Sequence, residues 1–539
     1  MMDKRSILVM VACVLALVLL PYVANKIFPP IPKRQPPRLA SSDAAAVSNV
    51  VHELIAPAVT NLPPPATRPP EQIVALSNSF LRVELTSWGG GIRRIELLKH
   101  RHADTQEPIT LNQDAPHAAL ALVGLPDADT NAVFTLEQSG PTEAVMRAGS
   151  VTKTVSLSED YLLRMRVEGV HAPSVGVVVG LARPTHVQEA PSYLNADWQD
   201  GPKWSNRDLG VVTKRAAKGQ NREAIHARWV AVKSQYFAMV LTGATNATAV
   251  TYQPVALPRA EAWTAKEAPQ GVMAVAEWPG TGTMDFHLYA GPKEYERLAA
   301  LGQSQMEVMD FGSWMDGYTG IFGVILFKGM MWCHKLIPNY GLAIVLVTVL
   351  LRVLFWPVQA KSIQSMKEMQ KFQPQMQKIR EKYKDDPQRM NQELMKLYKE
   401  HKIKPFSGCL PMLVQLPVLI AFYKVLSNAI ELRGASFLWI KDLALPDTVA
   451  HLPGLGLPIN PLPLLMTATT IWQQKMTPST GDAQQQKMMM FMPLIFLFMF
   501  YNVSSGLVLY WTVQQLLSIG QQWWSMRQPA PTTSGPSHG

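Results

Sequence analysis

The chain is short of cysteine and of charge, and it lacks the common catalytic signatures. Its 539 residues hold three cysteines. These are Cys13, Cys333 and Cys409, far apart and each inside or beside an apolar run, which excludes a disulfide framework and a CxxC metal site. They read as small hydrophobes. Charged residues make up 17% of the chain against 47% hydrophobic. With a mean hydropathy of +0.03 the chain is too apolar for an ordinary soluble enzyme, so part of it belongs in lipid. No HExxH, GxSxG, Walker lysine loop or GxGxxG occurs, and the 12 histidines are scattered without ligand spacing. A zincin, an ATPase and an α/β-hydrolase are disfavoured, and no metal or cofactor is expected.

What is present follows a definite order. Ser6 to Val23 is an 18-residue apolar run behind Lys4 and Arg5, the shape of a signal sequence or of an anchor that starts in the cytoplasm. No A-x-A-like site follows, which favours an uncleaved transmembrane anchor over residues 1–28. The alternative, a lipoprotein site at Val11-Ala12-Cys13, is disfavoured because the run continues past the cysteine. From Pro29 to Pro70, 11 of 42 residues are proline, so residues 29–72 form an extended linker. Residues 73–300 switch to period two: Tyr161, Leu163, Met165 and Val167 would share one face of a strand. Turn chemistry at Gly89-Gly90-Gly91, Ser139-Gly140-Pro141 and Pro279-Gly280-Thr281-Gly282 separates further runs, predicting one antiparallel all-β domain, a β-sandwich rather than a barrel. Residues 301–338 read as connecting helices ending in an amphipathic interfacial helix, Tyr318 to Ile337.

Five more apolar runs follow, at Tyr340 to Val358, Cys409 to Ala429, Pro461 to Gln473, Met488 to Tyr501 and Gly506 to Gly520. With the N-terminal run they predict a six-helix transmembrane α bundle. Two of them are shorter than the roughly 20 residues a bilayer needs, which implies polar ends in the interface or a thinned bilayer. The loop Lys361 to Lys404 carries 12 Lys+Arg against 6 Asp+Glu, and the rest of the chain 38 against 34. It should be cytoplasmic, and six crossings from an inside N-terminus agree, placing the β domain outside and the short tail 525–539 inside. Its periodicity predicts an antiparallel helical hairpin with Asp386 as N-cap and Pro387 at the first helical position. The charge run is either a solvated face or a dock for anionic lipid or ribosomal RNA.

Arg352 lies within the second run. An arginine there costs about 2.5–3.5 kcal/mol on insertion scales and keeps its proton. No Asp or Glu occurs in any of the six runs, so the charge is left for something that arrives or snorkels toward the cytoplasm. Lys424 reads as snorkelling outward. Gln415, Thr467, Thr469, Thr470, Gln473, Thr512, Gln514, Gln515 and Ser518 each suit a helix–helix hydrogen bond, and with Arg352 they would line a wet groove. The 27 methionines are core filling or a pliable surface for varied hydrophobic clients.

These residues resemble a known family. Leu351-Arg352 with Trp356-Pro357, Gly408-Cys409-Leu410-Pro411 with Gln415-Leu416-Pro417, Glu431-Leu432-Arg433, Phe437-Leu438-Trp439-Ile440 with Asp442-Leu443, Gln473-Gln474-Lys475-Met476, Phe491-Met492-Pro493 and Ser505-Gly506-Leu507-Val508-Leu509-Tyr510 are similar to the YidC membrane protein insertases in their Gram-negative six-span form. The resemblance implies a mutarotase-like β-sandwich and a five-span core, residues 339–524, enclosing a hydrophilic groove open to the cytoplasm. It implies that Arg352 draws in the acidic tail of a client, with Thr348, Gln415, Tyr510 and Thr512 facing the groove or the client. The implied partners are nascent membrane proteins, membrane lipids, the Sec translocon and, through the basic hairpin, the ribosome. The chain departs from the family pattern at Val353, Lys424 and Ser504, which bears on helix geometry. The rival reading is a small-anion transporter or channel; a carbohydrate enzyme on a membrane stalk would not need five further spans.

Overall fold

The structure is a computed structural model that describes residues 69–102, 105–186, 189–201, 203–258, 270–280, 282–311, 318–384, 386–401, 410–452, 457–476 and 483–527. The N-terminal run, most of the Pro-rich linker and the end of the tail lie outside the described residues. The chain divides into two compact units, one of them holding the β-rich segment up to Asp310 and the other mainly the helices from Phe311 onward.

In the first unit β1 (Ile73–Ser77), β2 (Leu81–Thr86), β3 (Gly91–Arg101) and β4 (Pro108–Leu111) make an antiparallel meander in that order. Twelve further strands form a second sheet system. They are β5 (Leu122–Val123), β6 (Thr135–Gln138), β7 (Glu143–Ala148), β8 (Val151–Leu157), β9 (Leu162–Val170), β10 (Ser174–Ala182), β11 (Asn195–Asp200), β12 (Lys203–Asp208), β13 (Arg222–Lys233), β14 (Phe237–Ala256), β15 (Gln270–Pro279) and β16 (Gly282–Pro292). Helices α1 (Leu209–Ala216) and α2 (Tyr295–Ala300) flank them.

The period-two reading holds at β9, where Leu163, Met165 and Val167 are buried and Arg164, Arg166 and Glu168 face out. The main path runs β12-β11-β13-β14-β16-β9-β8-β7-β6. β14 is 20 residues long and serves two partners on its far side. Phe237 to Gly243 pair with β16, whereas Ala249 to Ala256 pair with β15, which carries β10 and then β5. β13 follows both halves, with register shifts around Ala227. Such bulges bend and twist a strand, which lets one strand pass from one group of neighbours to the other. Ala121, Val123, Val178, Leu181, Leu257, Met273 and Val275 cluster behind the β15 branch. The main path ends on β12 and β6 without closing, so the β domain is an open, layered sheet system rather than a barrel.

The helical unit contains α3 (Tyr318–Leu336), α4 (Tyr340–Lys371), α5 (Gln373–Lys382), α6 (Pro387–Glu400), α7 (Leu410–Asn428), α8 (Pro461–Met476), α9 (Ala483–Phe500) and α10 (Ser505–Arg527), with a short ladder of β17 (Ala450–His451) and β18 (Pro458–Ile459) between α7 and α8. One boundary differs from the sequence reading. That reading ends the second apolar run at Val358 and begins the hairpin at Lys361, but α4 continues unbroken to Lys371. Hydropathy ends where lysines begin, yet Lys, Gln, Met and Glu are all good helix formers. The hairpin itself is α5 against α6. The Asp386 side chain accepts from the Arg389 N–H at 3.1 Å, Pro387 opens the helix, and Met376, Leu394 and Leu397 form the core of the pair.

Among the described residues no helix is long and apolar enough to cross a membrane.

Gly341 in the first turn of α4 lies where an added Cβ would overlap the Phe437 ring. Gly341→Val is therefore expected to destabilise the helical unit by about 1–3 kcal/mol, the usual cost of overpacking. A lowered thermal midpoint in detergent micelles would show it, and adding Phe437→Ala should recover part of the loss.

Candidate functional site

The helical unit buries several polar side chains among its apolar core and exposes many large apolar ones. On α4, Ile344, Val347, Thr348 and Arg352 are buried, whereas Leu350, Val353 and Leu354 are exposed. On α8, Thr467 and Thr469 are buried while Leu464, Leu465 and Trp472 face out, and on α9 Phe498 is 90% exposed. Water would select the opposite arrangement.

Arg352 is only 7% exposed. Four residues, hence about 40° of helical rotation, separate it from Thr348, so the two share a face. α10 packs against α4, and the Tyr510 hydroxyl lies close enough to interact electrostatically with the guanidinium. The Tyr510 ring is fixed by stacking on Phe422 of α7, centroids 4.1 Å apart at 12°. Among the described residues no carboxylate pairs with Arg352, and its Nε is buried without a hydrogen-bond partner. An unpaired buried guanidinium is costly, which points to water or an arriving anion as its partner.

The predicted hydroxyls are buried but occupied. Thr348 Oγ1 donates to Ile344 O and Thr512 Oγ1 to Val508 O, each at 2.7 Å; Thr467 and Thr470 donate likewise to carbonyls four residues earlier. Each hydroxyl proton is spent within its helix, and the oxygen lone pairs remain as acceptors. Tyr510 and Thr512 lie about 200° apart around α10, so both cannot face Arg352. The structure brings Thr348, Arg352 and Tyr510 together and sends Thr512 to another side of α10. Gln415 stands in α7, and its side chain lies outside the described residues.

Two further buried polar side chains, Gln359 and Gln521, have amide atoms without partners among the described residues. Gln359 lies seven residues beyond Arg352 and Gln521 eleven beyond Tyr510, which is two and three helical turns, so each extends the same face. The sequence reading stops one residue short of each, at Val358 and Gly520, because it cuts the runs by hydropathy. The helical spacing to Arg352 and Tyr510 was the signal that would have found them.

At the other end of these helices, Asp447 Oδ2 accepts from Trp439 Nε1 at 3.0 Å and from the Leu462 N–H at 2.7 Å. Asn460 Nδ2 donates to Tyr501 O at 2.7 Å, and Ser505 Oγ donates to Asp442 O at 3.0 Å. The segment between α7 and α8 thus ties down the starts of α8 and α10.

A helical unit that hides an arginine and several hydroxyls while showing leucine, phenylalanine and tryptophan has the polarity of a protein set in lipid. Two family models match the chain, "YidC periplasmic domain" over residues 73–322 and "60Kd inner membrane protein" over residues 332–532. The membrane protein insertase YidC of Cupriavidus necator is 32% identical over 535 residues, 93% of this chain and 92% of its own. That of Geobacter metallireducens is 32% identical over 557 residues, 97% of this chain and 98% of its own. That of Pelobacter propionicus is 49% identical over 247 residues, an alignment spanning 45% of each chain. The chain belongs to the YidC membrane protein insertase family, a family of inner-membrane proteins and not of enzymes.

Proposed function

We propose that this protein inserts membrane proteins and helps them fold, alone or beside the Sec translocon, through a hydrophilic groove open to the cytoplasm. In this reading α4, α7, α8, α9 and α10 cross the inner membrane together with the N-terminal anchor. Both termini and the hairpin of α5 and α6 lie in the cytoplasm, and the β domain over residues 73–300 lies in the periplasm. The short apolar runs of α8 and α9 then mean a bilayer thinned around the unit, which lowers the barrier to a polar tail. The basic hairpin faces anionic lipid and the ribosome.

Arg352, buried and with an Nε that has no hydrogen-bond partner among the described residues, carries the reading. A fixed positive charge attracts a client carboxylate by about 4 kcal/mol at contact for an effective dielectric near 20, before desolvation is subtracted. The grip is weak and reversible, and burial of the client's apolar segment in lipid completes the transfer without ATP. Thr348 and Tyr510 line the groove beside Arg352, Gln359 and Gln521 extend it, and Thr512 and Gln415 meet the groove or the client elsewhere along their helices.

The test is protease protection of a single-span client with an acidic N-terminal tail, in liposomes with and without the protein. Protection of the tail only where the protein is present supports insertion. Equal protection in both, or uptake of small anions by the protein-bearing vesicles, would favour the transporter reading instead.

A further inference from the structure

The segment between α7 and α8 has an unusual tip. The Phe437 N–H donates to Ile440 O at 2.9 Å and the Ile440 N–H donates back to Phe437 O at 2.8 Å. Leu438 and Trp439 are therefore the two central residues of a tight reverse turn. Leu438 has φ +52°, a backbone state that such turns normally give to glycine or asparagine. It is nevertheless a leucine, and it is 75% exposed. A strained, water-facing leucine has no use in the local fold, because glycine would hold this turn at lower cost.

The mount beneath the tip is rigid. Phe437 sits against Gly341, and Asn339 Nδ2 donates to Ser436 O at 3.3 Å. Asp447 holds the Trp439 indole N–H, so what that side chain, 43% exposed, shows outward is its apolar ring. Nearby surfaces continue the apolar character. Leu342 follows Gly341 on α4, Leu464 and Leu465 follow the Leu462 that Asp447 caps, and Val449, Leu452 and Leu457 are exposed on the β17–β18 ladder. Lys441, also exposed, stands at the edge of the tip as a cation beside an apolar wedge.

We propose that the Leu438–Trp439 turn is a membrane anchor that dips into the phospholipid interface at the end of the unit opposite the basic hairpin. The lipid is the occupant that these features share. The apolar tip is continuous with the outward-facing leucines of α4 and α8, an indole with its N–H satisfied suits the acyl–headgroup boundary, and Lys441 matches lipid phosphate. The anchor fixes the depth and tilt of α4 and α8, and thereby the depth of Arg352. The inference rests on the helical unit lying in lipid as proposed above.

The experiment places a nitrobenzoxadiazole label at Leu438→Cys in the full chain carrying Cys13→Ala, Cys333→Ala and Cys409→Ala. It is reconstituted in phosphatidylcholine–phosphatidylglycerol vesicles, with a second sample labelled at Leu354→Cys on the exposed face of α4. Blue-shifted emission at 438, quenched by shallow nitroxide-labelled phosphatidylcholine and shielded from aqueous iodide, is the expected result. Quenching by iodide instead, or a blue shift that nitroxide lipid leaves untouched because protein covers the tip, overturns the anchor. If the 354 label also escapes nitroxide lipid, the lipid placement of the whole unit fails rather than the anchor alone. Where the label at 438 unfolds the turn, the same reading at Val449→Cys decides.

Discussion

Replacing Arg352 with alanine is expected to abolish translocation of an acidic client tail while making the helical unit more stable, and replacing it with lysine to preserve both properties largely as they are. Two effects of opposite sign meet at this residue. Its guanidinium is buried, its Nε has no partner among the described residues, and the runs around it contain no carboxylate. Removing an uncompensated buried charge relieves desolvation, so the thermal midpoint in micelles should rise. The same removal takes away the attraction on the client. If only about 1.4 kcal/mol of that attraction survives desolvation, the rate falls tenfold. Lysine retains the charge but not the planar fork, so it should slow clients held by a bidentate contact more than clients held by charge alone. A merely structural arginine would show the reverse pattern, with alanine lowering stability and insertion together. Protease protection and thermal unfolding on the same three proteins separate the two cases.

How far such a site could be read from the sequence depended on whether one residue or a shape carried the information. Arg352 was legible because one charge in an apolar run is expensive wherever the helix ends. Asp386-Pro387 was legible because capping is local chemistry. The alternation around Leu163 was legible because a half-buried strand repeats every two residues. The length of α4 was not, since hydropathy reports where lipid would end and says nothing of where a helix does. Nor was the path of β14, because its 20 residues change partner through bulges on β13 whose only local trace is a register shift around Ala227. The division between Tyr510 and Thr512 was not legible, because the resemblance implies only that each faces the groove or the client, and two residues of α-helix turn them to different sides of α10. Leu438 passed unremarked among the motif residues, because its meaning lies in a positive φ that no apolar pattern announces.

The second large effect is a stability profile that rises with pH. Lys153 occupies an inward position of β8 between Val151 and Val155 and is fully buried. Its Nζ donates to Gly90 O at 2.6 Å, Gly89 O at 3.2 Å and Leu120 O at 3.4 Å, and lies 4.5 Å from the centre of the Phe134 ring. Gly89 and Gly90 both have positive φ, +72° and +54°, which turns successive carbonyls toward the amine. Burial pushes the Lys153 pKa down to about 7 from 10.5, against the pull of the carbonyls and the ring. Burial, together with repulsion from Lys233, lowers Lys293 to about 7 as well. Between pH 7 and the ordinary lysine range the unfolded chain therefore binds protons that the folded domain does not, so stability increases as pH rises. The full shift corresponds to about 4–5 kcal/mol for each lysine at most. Above about pH 10, where free tyrosine ionises, the slope reverses, because burial raises the pKa values of Tyr161, Tyr252 and Tyr289. The β domain should thus be most stable near pH 9–10, a dome displaced well above the usual range of about pH 5–8. Urea unfolding of the full chain in micelles, followed by emission from the buried Trp198, Trp229 and Trp278, should show the midpoint climbing from pH 7 to pH 9. Lys153→Met should remove about half of the climb, since Lys293 keeps the rest. Above about pH 10.5, where the unfolded lysine is neutral too, it should also cost about 1–3 kcal/mol, because the carbonyls of Gly89, Gly90 and Leu120 lose their donor without any relief of charge. A wild-type climb only half as large, the part that Lys293 supplies, would mean that the three carbonyls and Phe134 hold Lys153 protonated in the folded state, and the methionine variant would then lose stability equally at every pH.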